Sequence, residues 1–425
     1  MALFGENTLN TFTVIFLIAL AAGTLLKWWL ARRQLDCVSG HRNAVPEAFR
    51  ETIDLTTHQR AADYTVARTR AGMLEGGVAA LLLLGWTLGG GIDLLNGVWV
   101  DTGLSPLLSG AGLLLSTFLI MGLLEMPFDI YRTFVIEERF GFNRTTPRLF
   151  ISDAVKQTLL LLAIGTPIIL AVLWLMAHAG EYWWFYVWVV WMGFSLLLTW
   201  AYPTVIAPWF NKFVALDDGA LKTRIESLLE RNGFAAKGIF VVDGSKRSGH
   251  GNAYFTGLGS NKRIVFFDTL LRQLDPEEVE AVLAHEVGHF KRKHIAKRIA
   301  LMAVVSLAGL MLLGWLIDRT WFYSGLGVME PSLAVALLLF LFVVPTFTVF
   351  IQPLMSGLSR RHEFEADEFA AGQADAGKLV EALVKLYREN ANTLTPDPLY
   401  SAFHDSHPPA PVRIANLQAK QALAP

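Results

Sequence analysis

Apolar residues in this chain come in runs too long for one face of a globular helix. Stretches at about 9–31, 73–96, 107–128, 155–178, 182–206, 298–318 and 332–355 can each cross a hydrocarbon core of about 30 Å, so the pattern predicts seven transmembrane helices. Gly89-Gly90-Gly91 and Glu125-Met126-Pro127 interrupt the second and third stretches. A buried helix pair is the alternative there, and losing one span would invert the side on which the chain ends. Two polar segments carry other periods. From about 215 to 298 the spacing predicts a helix over 221–231, a strand over 238–242, a Gly/Ser/Asn-rich turn, strands around 253–257 and 263–267, and a further helix. From 356 to 425 it predicts helices apart from Pro408-Pro409-Ala410-Pro411.

The last helix of the first polar segment has its own start signal. Asp275 is an N-cap, Pro276 suits the first helical position, and Glu278 completes a capping box. Val279, Val282, Leu283 and Val287 then recur with helical period, and the basic cluster Lys291-Arg292-Lys293-His294 follows. On this helix lies His285-Glu286-Val287-Gly288-His289. Imidazoles at i and i+4 share a face with Cβ atoms about 5–6 Å apart, so both can reach one tetrahedral zinc while Glu286 flanks the metal without occupying it. Two surface histidines that happen to be four apart are the bland alternative, expected by accident roughly once in a hundred chains of this length.

Composition and charge sharpen this picture. A 53% hydrophobic and 17% charged chain with 13 tryptophans is an integral membrane protein. A net charge of −1, with no basic patch interleaved with aromatics, gives no argument for nucleic acid. The single cysteine, Cys37, excludes an intramolecular disulfide and a cysteine-rich zinc cluster, so any zinc must use His and carboxylate. Basic residues concentrate in the connections at 32–72, 129–154, 207–297 and 356–425, whereas the alternate connections hold only Arg319 and the N-terminal flank carries Glu6. That asymmetry places the N-terminus outside and both polar segments in the cytoplasm. The first stretch lacks a basic n-region and is followed by Lys27, Arg32 and Arg33, which fits a retained reverse anchor rather than a cleaved signal.

A catalytic zinc usually has three protein ligands and one open position. The run 359–370 returns to the cytoplasmic face after the seventh span, and there Glu363 and Asp367 stand at i and i+4. One face could thus offer a ligand and an acceptor that holds a ligand imidazole, though a solvated charged face accounts for the same run. Glu75, Glu125 and His178 fall at membrane depth and should face a cavity or the bundle; Glu125 and His178 could equally mark helix ends.

Several blocks in order, at 133–143, 252–255, 262–270, the His285–His289 helix, 363–367, Ser406-His407-Pro408-Pro409 and Arg413, resemble the type I CAAX prenyl protease family from about residue 120 to the C-terminus. The resemblance implies seven transmembrane helices around a water-filled chamber, with a cytoplasmic zincin-like α+β metalloprotease domain. It implies one zinc ion on His285, His289 and Glu363, with Asp367 and Arg413 in the outer shell and Glu286 activating water. His407 would meet the scissile carbonyl, although its place before prolines also fits a helix-start histidine. Asn252, Ala253 and Tyr254 would form an edge strand pairing with substrate backbone, a role that a polar-flanked strand beside a zinc helix suits independently.

The expected organisation is a five-helix membrane part at 1–206, a zinc-protease segment at 207–298, helices six and seven at 299–355, and a C-terminal segment at 356–425 bearing the third ligand. The expected function is a zinc endopeptidase acting on prenylated CAAX tails or on membrane proteins in quality control. Its partners are a peptide or protein substrate and membrane lipid, with no nucleic acid. The chain ends in Gln421-Ala422-Leu423-Ala424-Pro425 without an endoplasmic-reticulum retrieval signal, which leans toward a bacterial inner membrane. The competing class is a non-proteolytic scaffold or transport component with structural zinc; an open metal position and Glu286 argue against it.

Overall fold

The computed structural model describes residues 10–234, 238–257 and 262–422; Glu6 and residues 423–425 lie outside that range. The N-terminal part is built from α1 (Thr11–His41), α2 (Leu55–Trp86), α3 (Gly91–Val100), α4 (Pro106–Glu137), α5 (Pro147–His178) and α6 (Gly180–Phe210). The two predicted interruptions behave differently. At Gly89-Gly90-Gly91 the chain bends by 50° between α2 and α3. Gly90 has φ +77°, and a Cβ on Gly89 would lie 2.7 Å from the Gly85 carbonyl oxygen, so only glycine fits this turn. Pro127 instead lies inside α4, which continues into a π-helical turn at Arg132–Glu137. A helix in a bundle tolerates the backbone bond that proline removes, because neighbouring groups satisfy the freed carbonyl.

The sheet of the polar segment comprises β1 (Phe213–Ala215), β2 (Ile239–Val242), β3 (Ala253–Thr256) and β4 (Arg263–Phe267), in the order β1-β2-β4-β3. Only β2 and β4 run parallel, and β3 is an edge. The three predicted strands are present; β1 is an addition, too short for a period of two to be read from sequence. Helices α7 (Ala220–Arg231) and α8 (Pro276–Lys291) cover the sheet, burying Ile225, Leu228, Phe266, Leu283 and Val287 in one core. The Asp275 capping box forms as expected, and Lys385 reinforces it through Glu278 at 2.7 Å.

Then come α9 (His294–Leu316), α10 (Leu333–Thr348), α11 (Gln352–Gln373), α12 (Ala376–Glu389) and α13 (Ala410–Ala422). Among the described residues six helices are long and apolar enough to cross a membrane, or seven when the bent α2–α3 pair counts as one span, which is the predicted number. Their outward faces carry exposed residues such as Ile18, Leu81, Leu197 and Val304, for which lipid tails are the natural solvent. Their inward faces bury Phe16, Ile92, Leu113, Leu338 and Leu339. Helices α10 and α11 form one 41-residue helical stretch, Leu333–Gln373, so the last span carries Glu363 directly to the polar domain.

Candidate metal centre

Helix α8 presents His285 and His289 one turn apart, and α11 lies across it with Glu363. The Nε2 atoms of the histidines are 3.2 Å apart. Glu363 Oε2 is 3.4 Å from His285 Nε2, and Oε1 is 3.2 Å from His289 Nε2. One ligand atom from each residue falls within 4.8 Å of the others. Glu363 Oε2 is buried without a hydrogen-bond partner. An orphaned carboxylate oxygen facing two imidazole nitrogens fits a divalent cation: two imidazole nitrogens and a carboxylate suit zinc.

The imidazole of His285 donates from Nδ1 to Asp367 Oδ1 at 2.8 Å. Arg413 then grips Asp367 twice, from Nε to Oδ2 at 2.9 Å and from Nη2 to Oδ1 at 2.5 Å. Asp367 and Arg413 are both buried. Burial by itself disfavours the charged imidazolium of His285, but the Asp367 and Glu363 carboxylates outweigh it and push its pKa up to about 9. The field that draws a proton to His285 would also draw a metal cation. His407 Nε2 is 3.5 Å from Glu363 Oε1 on an exposed side chain, with Ser406 Oγ 3.0 Å from its Nδ1.

These groups open on a cavity of about 1210 Å³ that extends among the membrane helices past Gly23, Lys27, Gly76, Glu125 and Pro345. That volume exceeds a drug-sized pocket and suits an extended chain. Glu286, Asn252, Ala253 and His407 line it together with His285 and Glu363. Tyr254 is on the same edge strand, but its ring packs against Phe267 at 6.2 Å and does not line the cavity. Of the three acidic or basic groups at membrane depth, Glu125 lines the cavity and Glu75 pairs with Arg132 at 2.7 Å. His178 stacks on Trp174 in the last turn of α5.

Gly288 sets how closely the two helices that carry the candidate ligands approach. A Cβ there would lie 3.0 Å from both Cα and O of Ala366. Gly288→Val therefore overpacks the α8–α11 contact and should cost about 1–3 kcal/mol. The expected result is a lowered melting temperature with reduced metal content, read by calorimetry and by metal analysis of the purified protein. Unchanged values of both would remove this contact from the account.

Sequence reasoning passed over several neighbours of the site. In sequence His294 ends the basic cluster Lys291-Arg292-Lys293-His294, yet its ring lies 3.0 Å from His289. Glu365, between Glu363 and Asp367, reaches His294 at 3.0 Å. The block at 133–143 supplies Glu137, which accepts from Tyr64 at 2.6 Å, and Phe142, which stacks on His250 just before β3. The available signal was the unusual density of histidines and acids in 285–294 and 362–368.

Residues 34–212 match the CAAX prenyl protease N-terminal family, described as five membrane helices, and residues 215–421 match peptidase family M48. The chain is 41% identical to the CAAX prenyl protease 1 homolog of Dictyostelium discoideum over 304 residues, 70% of either chain. It is 32% identical to the Caenorhabditis elegans homolog over 438 residues, covering 96% of this chain and 98% of that one. The crystal structure of S. mikatae Ste24p superposes with a TM-score of 0.87 at 31% identity, over 96% of this chain and 99% of that chain.

Proposed function

The chain belongs to the CAAX prenyl protease family within peptidase family M48, a multi-pass membrane metalloendopeptidase, and on that footing we propose that it cleaves prenylated CAAX-type peptides inside its chamber. The observation that carries the reading is the convergence of His285, His289 and Glu363 within 4.8 Å, beside a cavity whose wall includes His285, Glu363, Glu286 and the start of β3. Three protein donors match the pattern of a catalytic rather than a structural zinc site.

The proposed chemistry assigns each side chain a task. Bound to His285, His289 and Glu363, zinc would supply the Lewis acidity that brings a water pKa toward 7. Glu286 takes the proton from the attacking water and delivers it to the leaving amine. His407 donates from its ring to the carbonyl oxygen as negative charge develops there. Asp367 holds the Nδ1 proton of His285, so the Nε2 lone pair stays directed at the metal. The outer edge of β3 at Ala253, with Asn252 just before it, receives the extended substrate by strand addition.

The Lys/Arg asymmetry of the connections supports a cytoplasmic placement of the site. The substrate class is tested with two peptides of identical CAAX sequence, one farnesylated, offered to the detergent-solubilised protein with a chelator and Glu286→Ala as controls. Cleavage of the farnesylated peptide at more than about tenfold higher kcat/KM, equivalent to 1.4 kcal/mol, is expected. Equal cleavage of both would replace the prenyl requirement with a general membrane-protein endopeptidase, and cleavage of neither would overturn the substrate assignment.

A further inference from the structure

We infer that His294 and Glu365 form a relay that fixes the tautomer and orientation of His289, which makes His294 a positioning residue for the metal site. The inference rests on the reading of His285, His289 and Glu363 as metal ligands. His289 Nδ1 and His294 Nδ1 are 3.0 Å apart, and His294 Nε2 is 3.0 Å from Glu365 Oε2. Glu365 is further held by Arg361 at 3.1 Å and Lys297 at 3.7 Å, so its oxygens face donors on every side the structure shows and serve as acceptors for His294. For a neutral His294 ring the polarity of the chain then has one solution. His294 must carry its proton on Nε2 to donate to Glu365, which leaves its Nδ1 as a lone pair. His289 must therefore carry its proton on Nδ1 and direct the Nε2 lone pair toward His285 and Glu363.

Two further features hold His294 in place. Its ring is buried and lies flat against His362, with centroids 4.0 Å apart and planes 12° from parallel. On an uninterrupted helix, a residue five positions after His289 would point about 140° away from it. Lys293 breaks the helix with φ +57°, one of two positive φ values at non-glycine residues among the described residues, and the turn brings His294 back onto His289. The acids Glu363, Glu365 and Asp367 of one helix thus serve as a ligand, the relay acceptor for His289, and the direct acceptor for His285.

The test uses the full-length protein in detergent, stripped of metal. Zinc affinity is measured by competition with a chromophoric chelator, and the d–d spectrum is recorded after loading with cobalt. His294→Phe keeps the ring stacked on His362 and removes the relay; it should weaken zinc about 10–100-fold and alter the cobalt spectrum, with the melting temperature of the metal-free protein unchanged. His294→Asn retains a carbonyl acceptor in reach of His289 and should bind zinc nearly as the parent does. Glu365→Gln, whose amide can donate as well as accept, should fall between them and does not disturb a buried ring. Parental zinc affinity in His294→Phe, or in Glu365→Gln if the first variant fails to fold, overturns the relay alone. A loss in His294→Asn as large as in His294→Phe also overturns it. Failure of the parent protein itself to bind zinc would overturn the metal-site reading and the relay with it.

Discussion

Replacement of Glu286 by glutamine is expected to leave metal content, melting temperature and KM close to those of the parent while kcat falls about 10²–10⁴-fold. Glutamine has the shape of glutamate but cannot accept a proton from water at neutral pH. Glu286 lines the chamber and stands outside the converging donor group, so its loss takes no ligand from the metal. Chelation should abolish activity in the parent, and zinc should restore it; Glu286→Gln should bind zinc equally well without recovering turnover. Single-turnover cleavage and metal analysis on the same preparation separate the two effects. Near-parental kcat with a full complement of metal would take the role of base away from Glu286.

Arg413→Leu is expected to cost about 3–5 kcal/mol of stability, because it leaves a fully buried Asp367 carboxylate without its guanidinium. Arg413→Lys should recover only part of this, since an ammonium cannot reproduce the two-point contact of Nε and Nη2. The double variant Asp367→Leu/Arg413→Leu separates folding from metal binding. Replacing a buried pair by apolar side chains is often neutral for stability, so its melting temperature should return most of the way to that of the parent. Its zinc affinity should remain about 10–100-fold weaker, because the His285 Nδ1 proton has lost the acceptor that orients the ring. Recovery of both properties together would mean that the pair is there only to fold the domain.

Local chemistry carried much of this protein in plain view. The number of spans, with the bent α2–α3 pair counted as one, the Asp275–Glu278 capping box and the helical placement of His285 and His289 agree with the sequence reading because each is set locally: by partition of apolar side chains into lipid, by orphan N–H groups at a helix start, and by the helical repeat. The Gly89–Gly91 break is also visible as an interruption, whereas its 50° bend and the helical course through Pro127 show only in the structure. In the run of acids at 363–368 the periodicity left a ligand and a solvated surface equally open. Glu363 faces the histidines because α10 and α11 run on as one 41-residue helical stretch and Gly288 lets α11 approach α8 closely. His294 looked like one of four basic residues until a left-handed Lys293 turned it back toward His289. Repeating patterns report how one segment meets its solvent; which atoms converge depends on how closely two distant helices abut, and that distance is set by packing over the whole core.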